Sequence, residues 1–221
     1  MSQRKGPSVK TEELILDAAE RLFAKHGVDG VSLRQIGAAA GSSNNFAVQY
    51  HFGDKARLLR AIFERRLPPL EVERARLLAK AKREGRLRDP RALLEVILFP
   101  IAEARDSAGR RSYAAFLLGL RHFHGSVEAR LDAADLAPLT HHVSDLLSAA
   151  SPPMPVPVYD RRFRHAWDIF LTELVDADNE LDSDIRWVPE PVRLNAALDV
   201  AVAVLLAPVS EDLRAAYRDA E

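Results

Sequence analysis

The 221-residue chain contains no cysteine. That absence excludes a disulfide framework and thiolate metal sites, and it suits a reducing cytoplasm. No apolar run follows Met1, so no secretory signal is expected. The longest nearly all-apolar stretch, residues 196–207, carries Asp199 and falls short of the ~20 residues needed to span a bilayer. A soluble cytoplasmic protein without a membrane partner is expected. Period-two runs bounded by hairpin turns are also missing, so no sheet is expected. There is no Gly-rich phosphate loop, nucleophile elbow or HExxH. His122 and His124 stand two apart and His141 and His142 are adjacent, spacings that point to different faces of a helix. The carboxylates spread along solvent faces. Neither an enzyme nor a metal or cofactor is expected.

What remains is helical patterning. Apolar residues make up 48% and charged ones 29%, which lies within the globular range. The first helix is expected to begin at a Thr11 cap, to bury Leu14, Ile15, Ala18, Ala19, Leu22 and Phe23, and to stop at Gly27. Ser32 and Gln35 form a capping-box pattern, with Val31 and Ile36 at staple positions. Asp54 is placed to cap a fourth helix that Pro68-Pro69 should kink or interrupt. Asp89-Pro90 opens a fifth helix, in which Pro100 should cause a bend. Further helices are expected at 110–123, 127–149, 159–182 and 190–207, with a short one after Ser210. Residues 151–158 (SPPMPVPV) read as a stiff non-helical connection.

Net charge is −1, but it is unevenly placed. Residues 1–70 hold 11 Lys and Arg against 7 Asp and Glu, whereas the rest hold 20 against 25. A basic N-terminal third on an acidic body suits phosphate contact at one end. Between Ser32 and Lys55 (SLRQIGAAAGSSNNFAVQYHFGDK) the pattern is a helix, a turn of small residues at Ala38–Gly41, and a short polar helix ending in aromatics. Such a helix-turn-helix lays its second helix into the major groove of DNA. Asn44, Asn45 and Gln49 can pair with adenine edges through their carboxamides. Arg34, Ser42, Ser43, Tyr50, His51 and Lys55 are placed to grip phosphates. On composition alone, a three-helix subdomain with a merely solvated polar surface accounts for the segment equally well.

A resemblance separates the two readings. The runs LILDAAERLFAKHG (14–27), VSLRQIGAAAG (31–41) and YHFGDKARLL (50–59) resemble the N-terminal domain of the TetR family of bacterial transcriptional repressors. The family's run before the helix-four lysine is commonly Leu-Tyr-Tyr/His-His-Phe. Here Gln49 replaces the first aromatic, and the turn-to-Phe52 segment is one residue longer. The resemblance implies Tyr50, His51 and Lys55 as phosphate contacts and Phe52 as core.

It further implies an all-α protein divided into a tail at 1–10, a helix-turn-helix domain at 11–54 and a helical dimerisation and effector domain at 55–221. The expected function is a DNA-binding regulator, a homodimer on a near-palindromic operator, acting as a repressor released by a small effector. Independent support for dimerisation comes from 196–207, which is apolar all round and so needs cover on more than one side. Its expected neighbour is the 159–182 helix. Together they offer Phe163, Phe170, Leu174, Ala197, Val200, Ala201, Val204 and Leu205 to a partner copy, as in a four-helix bundle. An apolar or aromatic effector would be lined by Phe99, Tyr113, Phe116, Leu120, Phe123 and Trp167. The competing expectation is a helical interaction scaffold or a small-molecule-binding protein that does not touch DNA.

Overall fold

Helices α1 (Val9–His26), α2 (Leu33–Ala39) and α3 (Ala47–Phe52) come first in the computed structural model, which describes residues 9–218 except 43, 45, 107, 122, 124, 126–127, 130–131 and 181–187. They are followed by α4 (Lys55–Arg83), α5 (Pro90–Glu103), α6 (Ser112–Leu120), a 3-10 turn (Ala134–Leu136), α7 (Pro138–Ala150), α8 (Val156–Asn179), α9 (Glu190–Leu206) and α10 (Glu211–Arg218). No strand occurs among the described residues, so the protein is all-α. His122 and His124 lie outside the described residues. Among the described residues no single helix is long and apolar enough to cross a membrane.

Two compact units emerge. One comprises Met1–Pro69 with Arg105–Ala137, the other Leu70–Ala104 with Pro138–Glu221. The N-terminal unit is built on a core of Ile15, Ala18, Ala19 and Phe23 from α1, Ile36 from α2, Leu58, Leu59, Ile62 and Phe63 from α4, and Phe116 and Leu120 from α6. Phe116 is the hub, with ring centroids 6.3 Å from Phe23, 5.8 Å from Phe63 and 5.9 Å from Tyr113. α6 approaches α1 very closely. A Cβ on Gly119 would stand 2.4 Å from the Phe23 carbonyl oxygen, so a side chain there has no room.

Beside this core sits a buried ion cluster. Glu20 is fully buried. Arg66 grips it through Nε at 2.9 Å and Nη2 at 2.6 Å, and Arg65 also donates to it. Arg66 Nη2 donates to Ser112 Oγ at 3.1 Å, and its guanidinium lies 5.8 Å from the Tyr113 ring centroid. Burial works against the Arg66 charge, yet the hydrogen bond and charge of Glu20 more than offset it and raise the guanidinium pKa above its usual value. The cluster ties α1, α4 and α6 together.

In the C-terminal unit, α8 and α9 form the most extensive helix pair, and α5 packs against α7, α9 and α8. Glu71 of α4 is shared. It pairs with the buried Arg74 at 3.0 Å, accepts the Leu139 amide at 2.6 Å and accepts the Thr140 hydroxyl at 2.8 Å. Thus a residue distant in sequence caps α7.

Several local expectations need correction. Thr11 lies inside α1 and does not cap it. Pro68 and Pro69 leave α4 unbroken over 29 residues. Both sit at exposed positions, where water can serve the carbonyls that lose an amide donor. Residues 156–158 form the first turn of α8, because Pro157 falls near its start, where a missing amide costs nothing. The Ser32–Gln35 capping box and the Asp54 cap are present as expected.

Candidate nucleic-acid interface

The reading element is assembled by local hydrogen bonds. Ser32 Oγ accepts the Gln35 amide at 3.3 Å, and the Gln35 side chain accepts the Ser32 amide at 2.8 Å, starting α2. Gly41 adopts φ +73°, a left-handed conformation that ends α2 and turns the chain. Ser42 Oγ then accepts the Asn44 amide at 3.2 Å. Asn44 Oδ1 accepts the Phe46 amide at 2.9 Å, and the Asn44 carbonyl accepts the Ala47 amide at 3.0 Å.

The roll of α3 about its axis follows from what it buries. Ala47 and Val48 face inward, and a Cβ on Gly37 of α2 would meet Val48 Cγ2 at 3.5 Å. Phe46, Gln49 and Tyr50 therefore face out; Tyr50 is 76% exposed and Phe46 69%. Tyr50 stands edge-on to the His51 ring at 5.5 Å.

The predicted contacts divide into three groups. Arg34, Gln49 and Tyr50 lie on the surface, as do Asn44 and, in part, Ser42. Asn44 and Ser42 nevertheless spend polar groups on the turn itself. Of the predicted amides that the structure describes, Asn44 and Gln49, it is Gln49 whose oxygen and nitrogen are not spent on the turn. His51 requires a correction. Its side chain is 6% exposed, and Nδ1 lies 3.3 Å from Glu12 Oε1, so it braces α3 against α1 and does not face a phosphate. Lys55 donates to the Val28 carbonyl at 2.8 Å, which fixes α4 to the α1–α2 loop and leaves two further N–H donors on its ammonium. Ser43 and Asn45 lie outside the described residues. Phe46, absent from the predicted set, is an outward aromatic with no partner in the core.

The residues expected to line an effector site divide between the two units. Tyr113, Phe116 and Leu120 are core of the N-terminal unit. Phe123 is half-buried in that unit, while Phe99 packs on Phe170 at 5.8 Å and Trp167 on Phe163 at 6.2 Å in the other. A cavity of about 280 Å³ lies elsewhere in the C-terminal unit, lined by Ser144, Asp145 and Ser148 of α7, residues 151–154, and Val156, Tyr159 and Asp160 of α8. Its lining is largely polar.

Of the predicted interface residues, Phe170, Leu174, Ala197, Ala201 and Leu205 are buried within the single chain. They belong to the core of the C-terminal unit and have no surface to offer a second copy. Val200 is half exposed, and Phe163 and Val204 are partly so.

Three helices with a tight turn, an outward polar α3 and inward α2–α3 packing define a helix-turn-helix domain. Residues 15–62 match the model of the bacterial regulatory proteins of the tetR family. Through this domain the chain resembles the TetR family. It is 36% identical over 102 residues to the HTH-type transcriptional regulator AcrR of Shigella flexneri, covering 46% of this chain and 45% of that one. It is 41% identical over 54 residues to the HTH-type transcriptional repressor AcnR of Corynebacterium efficiens, covering 24% and 28%. Over 64 residues it is 38% identical to the HTH-type transcriptional regulator SrpR of Pseudomonas putida, covering 29% and 30%. The matched stretches thus span less than half of each relative. A solved chain from Rhodococcus sp. with a TetR-family regulator designation aligns over 96% of this chain and 97% of its own, with TM-score 0.41 and 20% identity. That likeness is too loose to bear on function. These relatives are regulators by name, not enzymes.

Proposed function

We propose that the protein is a sequence-specific DNA-binding transcriptional regulator acting in the cytoplasm as a homodimer on a near-palindromic operator. The observation that carries this reading is the outward face of α3. It presents Gln49 and Tyr50 to solvent while Val48 and His51 anchor the helix from behind. Gln49 reads a base edge; Tyr50, Arg34 and the spare donors of Lys55 hold the backbone. A single six-residue helix makes too few contacts to choose one site, so a two-fold pair is needed.

The surface of α9 supports that pairing. Val192, Ala196, Val200 and Ala203 are exposed at spacings of four, four and three, opposite the buried Leu194, Leu198, Ala201 and Leu205. On the flank, Asp199 and Asn195 are held by Arg91 of α5, the latter at 2.7 Å, which keeps polar groups off the stripe. Small side chains there allow close helix approach in a bundle shared by two copies.

Repression relieved by a small effector is the second part of the proposal. What supports it is the cavity at the α7–α8 turn, whose polar lining suits a polar molecule better than the apolar one expected from the aromatic residues. Selection of duplexes from a randomised pool tests the first part. The expected result is an enriched two-fold symmetric motif; a pool that stays random refutes it. Thermal-shift screening against polar metabolites tests the second, and a set that leaves the melting temperature unmoved counts against an effector.

A further inference from the structure

Phe46 is the largest apolar side chain on the reading surface, and its backbone is fixed on both sides. Its amide is held by Asn44 Oδ1 at 2.9 Å, and its carbonyl accepts the Tyr50 amide at 2.8 Å. Burial of Ala47 and Val48 sets the roll of the helix, so the Phe46 ring shares the outward face with Gln49 and Tyr50. At 69% exposure it contributes little to the core. A groove-lying helix that turns an apolar ring toward base edges must meet an apolar feature there. On the floor of the major groove of unmodified DNA that feature is the C5-methyl group of thymine.

We propose that Phe46 is a specificity-determining residue that contacts a thymine methyl in each operator half-site. This rests on the DNA-binding reading above and extends it. The amide of Gln49 discriminates by hydrogen bonding, whereas Phe46 discriminates by excluding water from a methyl. The two signals are independent and can be separated chemically.

Deoxyuridine retains every hydrogen-bonding group of thymidine and lacks only the methyl. The test uses a duplex selected by the full-length wild-type protein from a randomised pool, with each thymine and its symmetry mate replaced in turn by uracil. Removing one buried methyl corresponds to about fourfold in affinity per half-site, hence about fifteenfold for a symmetric pair. At one thymine pair the wild type should show this loss. Phe46→Ala should bind the thymine duplex more weakly and show no uracil penalty at that pair, whereas Phe46→Leu should keep part of it. Because the side chain is exposed, all three proteins should melt at the same temperature. A wild type indifferent to uracil everywhere, a penalty that persists in Phe46→Ala, or a selected site without thymine overturns the methyl contact alone. A wild type that selects no duplex overturns the DNA-binding reading with it.

Discussion

Replacing Glu20 by alanine should unsettle the N-terminal unit more than any substitution on its surface. Glu20 is fully buried and receives two hydrogen bonds from Arg66, one from Arg65 and one from Ser112 at 3.3 Å. Removing the carboxylate strands cations whose side chains are only 17% and 24% exposed. Breaking a buried pair by deleting one partner costs about 3–5 kcal/mol. Arg65 keeps Asp17 at 2.7 Å, so the stranded charge is chiefly that of Arg66, and the lower end, about 3 kcal/mol, is expected. For a chain of this length that corresponds to a fall of roughly 6–12 °C in melting temperature. Urea denaturation of Glu20→Ala, Arg66→Ala and the double variant provides the cycle. The double variant should be less destabilised than the sum of the singles by about 2 kcal/mol, because removing Arg66 also removes the unpaired cation. A loss below about 1 kcal/mol for Glu20→Ala, or additivity within about 0.5 kcal/mol, would refute the claim that this cluster holds α1, α4 and α6 together.

Four further outcomes are expected. Gly119→Ala should cost about 3 kcal/mol by calorimetry or urea melts, since its Cβ meets the α1 backbone; Gly37→Ala, with only an ordinary contact to Val48, should gain up to about 1 kcal/mol from helix propensity. Burial pushes the Tyr159 hydroxyl up to about 12, against the opposing influence of the Ser144 side chain. Its folded pKa is raised, so its contribution to stability is complete below the ordinary pKa of about 10 and lost as pH rises toward 12. Tyr159→Phe should abolish that alkaline loss and remove one late step, near pH 12, from ultraviolet tyrosine titration. Lys55→Ala should weaken binding to all duplexes and lower the salt slope by about 1, whereas Gln49→Ala should relax base preference at one position, read from a randomised operator library. Val200→Asp should convert a dimer to monomers in sedimentation, and a wild type already monomeric at micromolar concentration would contradict the pairing.

The features legible in the sequence were those written locally. The Ser32–Gln35 box, the Asp54 cap and the turn at Gly41 each depend on residues within four positions of one another, so spacing alone revealed them. Long-range partners were not legible. Nothing near Pro138 announces that Glu71 caps α7, and nothing near His51 announces that Glu12 receives it. The all-round apolarity of α9 was visible, but which side meets its own chain depends on the roll of α9 against α8. That roll sent Ala197, Ala201 and Leu205 inward and left Val200 outside. The aromatic spacing of α6 suits a core as well as the cavity expected there, and Phe116 packs on Phe23 and Phe63 in the core. Phe46 is not announced by the sequence, because an apolar residue beside a polar helix reads as its anchor, and only burial of Ala47 and Val48 turns it outward.

Selection of DNA sequence by the outward face of α3 is measured by competition binding at physiological salt. The selected duplex should displace a scrambled duplex of equal length with a preference on the order of 10³ or more. In the double variant Gln49→Ala, Tyr50→Ala that preference should fall by about tenfold or more, with the melting temperature retained. Equal affinity of the wild type for both duplexes, or an undiminished preference in the double variant, would contradict the claim.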